Sequence, residues 1–335
     1  MWEIALPLVF ALFVWWFATG VVFWLVRLPR STHRWSLAGS GVLTMASLYG
    51  MSEVAGEPSV GAVYLSFTFA ILAWGWIELG FLTGYVTGPR RTPCPPDCGG
   101  WWRAGTAIQA ILHHELALVA LGAAIAVATW GGVNQIALWT FVLLWGMRLS
   151  AKLNLFLGVA NRNSELLPDH LRFMDSFFAR RPINGLFPIS VSAAAALAAF
   201  LWWGAADSTA APFEIAGFAL LAALTALALL EHWFMVLPLP STELWRWALR
   251  SGTERRTAPV VAATAVSGGV NGAGARQSVA GMALVAREAI AVGAARPTRE
   301  SRAVGIPTEA RPSAASAVPC TIVPLPASSV HRRRP

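Results

Sequence analysis

Long runs of apolar residues recur along the first 250 positions of the chain and are separated by short polar stretches. A helix needs about 20 apolar residues to cross a bilayer. Seven runs are long enough, at about 2–26, 37–56, 60–86, 104–128, 133–155, 187–206 and 213–237. The second run is the weakest, because it is rich in Gly and Ser and carries Glu53. The pattern predicts an all-α polytopic membrane helix bundle of about seven transmembrane helices over residues 1–250.

Residues 251–335 have a different composition from the rest of the chain. This segment contains no Trp, Phe or Tyr and is rich in Ala, Val, Gly, Ser, Pro and Arg. A segment without aromatic residues and with scattered Pro and Gly has little means of forming a core. We therefore predict a disordered basic tail over 251–335.

The net charge of +8 arises mainly in that tail. Residues 1–250 hold 14 Arg and Lys against 13 Asp and Glu, whereas residues 251–335 hold 11 Arg against 4 Glu. Because the membrane body is nearly neutral, the charge is poor evidence for a polyanionic ligand, and we predict no nucleic-acid partner. With only 13% charged residues, the composition also argues against an ordinary soluble enzyme.

The basic residues predict an orientation in the membrane. All 25 Arg and Lys follow the first, third, fifth or seventh run or lie near the end of the fifth, and the alternate loops near 57–59, 129–132 and 207–212 hold none. Loops rich in Arg and Lys stay in the cytoplasm. We therefore expect the N-terminus to lie outside and the C-terminus in the cytoplasm.

Several ionisable residues lie inside the predicted spans, where charges are costly and usually face the bundle interior. The predicted topology places Glu78, Glu115, Arg148 and Glu231 in the cytoplasmic half of the membrane at comparable depth. We therefore expect one intramembrane polar cluster, in which Arg148 is neutralised by Glu115, Glu231 or Glu78.

Histidines accompany these charges at His113, His114 and His232. A neutral imidazole can ligate a metal or the magnesium of a chlorophyll-type pigment. It can equally hydrogen-bond to a neighbouring helix, or serve in a proton relay or in catalysis. The three histidines are candidate pigment or metal ligands, and the sequence defines neither a firm metal site nor catalytic residues.

The segment between the fifth and sixth runs is the longest polar connection within the body. A helix beginning at Ser164 or Glu165 would place Leu171, Met174, Phe177 and Phe178 on roughly one face, which predicts a helix lying on the membrane surface. The segment connects the helices at the interface, or it forms a cytoplasmic docking loop for a partner complex or a lipid headgroup. The candidate docking residues are Asn154, Asn161, Asp169, His170, Arg172, Arg180 and Arg181.

Two cysteines, Cys94 and Cys98, lie in a Cys-Pro-Pro-Asp-Cys loop on the predicted cytoplasmic side. Disulfides are uncommon in that compartment. Two thiolates are also too few for a zinc site without other ligands. We therefore expect reduced cysteines.

Several polar motifs resemble a known family. They are Asn154 to Asn161 (NLFLGVAN), Leu167 to Leu171 (LPDHL), Asn184 to Ser190 (NGLFPIS), His113 to Leu116 (HHEL) and Leu230 to Pro240 (LEHWFMVLPLP). They resemble the photosynthetic complex assembly protein 2 family, PuhE, over roughly residues 1–250. The tail after about residue 256 departs from that pattern.

The resemblance implies an integral multi-pass protein of the bacterial inner membrane (cytoplasmic or intracytoplasmic), which makes the outer N-terminus periplasmic. It also implies a factor that assembles the photosynthetic reaction centre and core light-harvesting complex, acting through bacteriochlorophyll supply or handling. It implies reaction-centre or light-harvesting subunits, other assembly factors and membrane lipids as partners, with bacteriochlorophyll as the candidate cofactor. It supplies no catalytic residues, and a non-enzymatic function is favoured. The alternatives are a membrane enzyme of pigment or lipid-soluble precursor metabolism and a small-molecule transporter.

Overall fold

A computed structural model describes residues 2–162, 167–237 and 244–249 of the chain. This part of the chain is helical and contains no β-strand. The predicted tail over 251–335 lies outside the described residues. Eight α-helices follow in chain order: α1 (Trp2–Arg27), α2 (Arg30–Val54), α3 (Val60–Leu82), α4 (Gly100–Ala128), α5 (Ile136–Leu157), α6 (Leu186–Ala205), α7 (Pro212–Phe234) and α8 (Arg246–Leu249). A 3₁₀ helix, Asp169–Phe177, lies between α5 and α6.

Six of these helices are long and apolar enough to cross a membrane, by length and composition. They are α1 (from Ile4), α3, α4, α5, α6 and α7, and they confirm the multi-pass membrane prediction at that level. The second predicted span corresponds to α2, a 25-residue helix that falls outside this set.

Helix α2 lies antiparallel to α3 over much of its length, at least from Leu37 to Gly50. Three close approaches show the register: Gly80 to Leu37 near one end, Gly41 to Trp76, and Gly50 to Phe69 near the other. At each point a glycine of one helix admits a large side chain of the other. A Cβ atom on Gly50 would lie 2.6 Å from the Phe69 ring.

The hydroxyl groups of α2 are satisfied within the helix. Ser40, Thr44 and Ser47 each donate to the carbonyl one turn earlier, at 2.7, 2.9 and 2.8 Å. A Ser or Thr bonded in this way does not bring an unpaired polar group into apolar surroundings. The polar composition of α2 is therefore compatible with a helix-to-helix interface.

Helix α3 is at the centre of the bundle. Its residues contribute to one apolar cluster with α2, α4 and α5, to a second with α1 and α7, and through Phe81 and Leu82 to a third with the 3₁₀ helix. Burial of apolar side chains around α3 therefore fixes the positions of the helices that carry the ionisable residues.

Two helices end earlier than predicted, at Leu82 rather than 86 and at Phe234 rather than 237. After α3 the Thr83 backbone N–H still bonds to Leu79, but Gly84 turns the chain with a φ of 83°. After α7 the Leu237 N–H bonds back to Trp233 in a turn. In both cases a turn ends the helix, although the sequence remains apolar for a few more residues. The predicted ends were therefore too late, because they followed the apolar composition.

Candidate functional site

Two ion pairs lie on one face of α5. Arg148 donates to Glu78 of α3 at 2.8 Å, and Lys152 donates to Glu115 of α4 at 2.5 Å. Arg148 and Lys152 are four residues apart, which puts them one above the other on the helix. Helix α5 therefore contributes two cations, which pair with one carboxylate on α3 and one on α4. Of the three carboxylates expected as partners of Arg148, Glu78 is the one that binds it.

Glu231 of α7 is bound by a residue of α1 and not by a cation of α5. Its carboxylate accepts a hydrogen bond from the Trp15 indole N–H of α1 at 2.9 Å. It also lies close enough to Arg148 and Glu78 to interact electrostatically with both. All four predicted polar-cluster residues thus lie on or near α5. Glu231 interacts with Arg148 and Glu78 through longer-range electrostatics and forms no direct bond with either.

His114 is completely buried, with 0% of its surface exposed. Neither of its ring nitrogens has a hydrogen-bond partner within the described residues. Its ring lies 4.5 Å from the Phe81 ring, centre to centre, and its backbone N–H bonds to the Thr87 carbonyl at 2.9 Å. The surrounding packing leaves no room for a large ligand beside this ring.

His232 is also buried, but both of its nitrogens are occupied. Nδ1 lies 2.8 Å from the Ala228 carbonyl, which can only accept, so Nδ1 carries the proton. Nε2 lies 2.9 Å from the Ser150 hydroxyl and accepts from it. The ring therefore links α7 to α5 and has no free lone pair.

His113 points about 100° around the α4 axis from His114 and is exposed on the outside of the bundle. Gln109, one helical turn earlier, is exposed on the same face. Ile108 and Leu116, which flank the two polar residues, are each 57% exposed. In a membrane this face of α4 meets lipid, so an imidazole and an amide there are unusual.

The predicted docking loop is more closely packed than the sequence suggested. Leu171, Met174 and Phe177 of the 3₁₀ helix are buried, and the first two pack against Phe81 and Leu82 of α3. The expectation that this apolar face lies against lipid is therefore wrong, because the ends of α3 and α4 cover it. The predicted helix start at Ser164 or Glu165 lies outside the described residues.

Two of the docking candidates are structural. Asn154 is completely buried and donates to Ser190 of α6 at 3.0 Å. The Asn161 side chain donates to the Phe234 carbonyl at 3.2 Å, and its backbone N–H bonds to Met235. Asn154 is thus corrected from a surface residue to a core residue, and Asn161 ties the loop to the end of α7.

The remaining docking candidates lie on or near the surface. Asp169 pairs with Arg172 at 3.1 Å, and both side chains are largely exposed. His170 packs against Gly84, where an added Cβ would lie 2.8 Å from its ring. Burial, reinforced by the charge of Arg30, lowers the pKa of His170 below its ordinary value. Arg180 and Arg181 are exposed just before α6.

The loop cysteines differ from the expectation of reduced thiols. Cys94 and Cys98 form a disulfide, with their Cα atoms 5.9 Å apart. The Thr106 hydroxyl of α4 lies 3.7 Å from the Cys98 sulfur. The expectation was wrong because it rested on compartment alone, whereas the loop brings the two cysteines together.

Some functional contacts carry no clear signal in the sequence. Asn184 donates to both Asn154 and Gly158, and its side-chain oxygen accepts from the first backbone N–H groups of α6. An Asn just before a helix is a recognisable cap, but its bonds to α5 depend on the fold. In the described ranges no group of three or more His, Cys, Asp or Glu could hold a metal ion.

The fold and the polar cluster define a multi-pass helical membrane protein. The chain belongs to the DUF3623 family, described as a protein of unknown function, which matches residues 1–256. It is 41% identical over 254 residues to a Rhodobacter capsulatus protein described as "Uncharacterized 30.4 kDa protein in puhA 5'region". That alignment covers 75% of this chain and 91% of the relative. No solved structure matches the chain.

Proposed function

We propose that this protein is an inner-membrane factor of photosynthesis, of the PuhE kind, that helps to assemble the reaction centre and the core light-harvesting complex. The observation that carries the proposal is the relative encoded in the 5' region of puhA, in a photosynthesis operon. The alignment includes nearly all of that relative, and the described helices have the character of a membrane domain.

We further propose that the protein handles bacteriochlorophyll and that His113 is the residue that binds it. The magnesium of such a pigment takes an axial ligand such as a neutral imidazole, and the large flat ring needs open space above that ligand. Of the three candidate histidines, His114 is enclosed and His232 has both nitrogens bonded. His113 alone combines exposure with a lipid-facing position, and the apolar side chains beside it suit a pigment ring.

The proposed orientation has a periplasmic N-terminus, a cytoplasmic C-terminus and seven membrane-spanning helices, including α2. Two observations support α2 as the seventh. It lies against α3 from Leu37 to Gly50, and the hydroxyl groups of Ser40, Thr44 and Ser47 are bonded within the helix. The distribution of the basic residues supports the orientation.

The assembly proposal is tested by deleting the gene in a phototrophic host and complementing it with the parent chain. We expect the near-infrared absorbance of the reaction centre and core antenna to fall together, and complementation to restore both. Pigment intermediates are measured in the same cells. Normal levels of both complexes would contradict the proposal, and accumulation of one pigment precursor would point instead to a membrane enzyme.

Pigment binding is tested on protein purified from a pigment-producing host. The absorption spectrum is recorded for the parent, for His113→Phe and for His114→Phe as the matched control. We expect bound bacteriochlorophyll in the parent and in His114→Phe, and its loss in His113→Phe. A parent without pigment, or a His113→Phe variant that keeps it, would rule out this ligand.

A further inference from the structure

Three arginines converge on one cavity at the ends of α5 and α6. The cavity is a shallow hollow, open to the surface, with a volume of about 360 Å³. It is lined by Val159, Ala160, Arg162, Arg180, Arg181 and Pro182. We propose that it binds the phosphate of an anionic membrane lipid. This proposal does not depend on the photosynthetic function, but it rests on α5 and α6 crossing the membrane.

The cavity is built on a fixed backbone. Val159, just after α5, forms a parallel bridge with Arg180, just before α6. Asn184 donates to the Gly158 carbonyl at 2.9 Å, so the two chain segments are held side by side. Gly158 has a φ of 112°, and an added Cβ there would lie 3.0 Å from the Arg181 Cβ. The arginines therefore project from a rigid pair of segments.

Among the residues that the structure describes, one of the three arginines at the cavity has a carboxylate partner. Arg162 pairs with Asp175 at 2.7 Å. Neither Arg180 nor Arg181 forms an ion pair with any residue that the structure describes, and both are exposed. Like charges held close together repel one another, and an anion between them would remove that repulsion. Guanidinium groups present paired N–H donors that match two phosphate oxygens.

The position of the cavity identifies the source of the phosphate. Its walls directly follow Leu157, the last residue of α5, and come shortly before Leu186, the first of α6. The ends of membrane-spanning helices lie at headgroup level, where lipid phosphates are concentrated. A phosphodiester carried by a lipid would reach the arginines while its acyl chains remain in the bilayer.

The experiment uses the full chain purified in an uncharged maltoside detergent. It is titrated with dioctanoyl phosphatidylglycerol, with zwitterionic dioctanoyl phosphatidylcholine and with inorganic phosphate, and bound molecules are counted by native mass spectrometry. We expect the parent to bind phosphatidylglycerol, and to bind neither phosphatidylcholine nor inorganic phosphate comparably. The double variant R180A/R181A should bind phosphatidylglycerol about 30-fold more weakly, as expected for two interfacial arginines.

A matched control separates the site from overall charge. R34A/R91A removes two exposed arginines that do not line the cavity, and it should keep the parent's affinity. R180K/R181K keeps both charges but loses the paired donors, and should bind more weakly than the parent. It also provides the test if R180A/R181A does not fold.

Four results would overturn the proposal. They are unchanged binding in R180A/R181A, an equal loss in R34A/R91A, full affinity in R180K/R181K, and inorganic phosphate binding as tightly as the lipid. The last result would assign the cavity to a soluble phosphate.

Discussion

Individual residues show how charges are accommodated inside this helix bundle. The Glu78 side chain is 11% exposed and that of Arg148 is 40% exposed, so the pair is only partly removed from the surroundings. Losing one partner leaves the other charge without its counterion, which costs more than the pair itself contributes. The pair therefore restricts which substitutions the bundle tolerates.

Replacing Glu78 with Gln should destabilise the protein by about 2 kcal/mol, because the Arg148 charge then lacks its carboxylate. In thermal unfolding followed by tryptophan fluorescence in detergent, the midpoint should fall by about 4–8 °C. The exposed Glu53→Gln is the control and should shift the midpoint little. A Glu78→Gln variant as stable as the parent would show that the ion pair does not stabilise the fold.

The sequence predicted which residues of this cluster are ionisable and their approximate depth, but not how they pair. Depth follows from position along a helix, whereas pairing depends on the rotation of each helix about its axis. Arg148 had three eligible carboxylates, and the packing around α3 selects Glu78. The same limit applies to His113 and His114, since only the rotation of α4 decides which ring is buried.

At the scale of elements, the short helix α8 and the residue just before it pack against α1 through two tryptophans. The Trp245 indole N–H donates to the Trp16 carbonyl at 3.3 Å, and the Trp247 ring lies over Gly20. A Cβ on Gly20 would lie only 2.1 Å from that ring. Gly20 is thus the position on α1 that admits α8.

Replacing Gly20 with Ala should displace α8 from α1, even though Ala favours the helix itself by about 1 kcal/mol. We expect faster trypsin cleavage after Arg246, measured by mass spectrometry of a limited digest. Gly39→Ala is the matched control, because Gly39 is helical and a Cβ there meets nothing within 4 Å. Equal cleavage rates in the two variants would mean that Gly20 does not govern this contact.

Helices were the most predictable level of structure, because long apolar runs specify them directly. Six of the seven predicted spans have the length and hydropathy of membrane helices. The connection between α5 and α6 was less predictable. Its apolar face was expected to meet lipid, yet Leu171 and Met174 are covered by α3, a contact between segments far apart in sequence.

At the scale of the whole molecule, the position of α2 decides the topology. With 25 residues it is about 37 Å long, which exceeds the roughly 30 Å of the hydrocarbon layer. It also lies against α3 from Leu37 to Gly50. If α2 crosses the bilayer, its two ends face opposite compartments.

Single cysteines placed at Ser31 and Glu57, in a background in which Cys94, Cys98 and Cys320 are replaced by Ser, test this arrangement. Both positions are exposed, one at the start of α2 and the other just after its end. With a membrane-impermeant maleimide, we expect Glu57→Cys to react from the periplasmic side and Ser31→Cys from the cytoplasmic side. Labelling of both from one side would exclude α2 as a span and leave six.

The two ion pairs on α5 also have a consequence for biogenesis. Inserting a helix into lipid costs about 2.5–3.5 kcal/mol of free energy for each charged residue at the centre of the bilayer. Helix α5 carries two such charges, Arg148 and Lys152, and would meet this cost if it entered lipid without partners. Glu78 and Glu115 precede both cations in the chain, so translation delivers the carboxylates first. Helix α5 therefore leaves the ribosome after its counterions, so we expect it to insert more readily when α3 and α4 are still beside it than when it is presented to the bilayer alone.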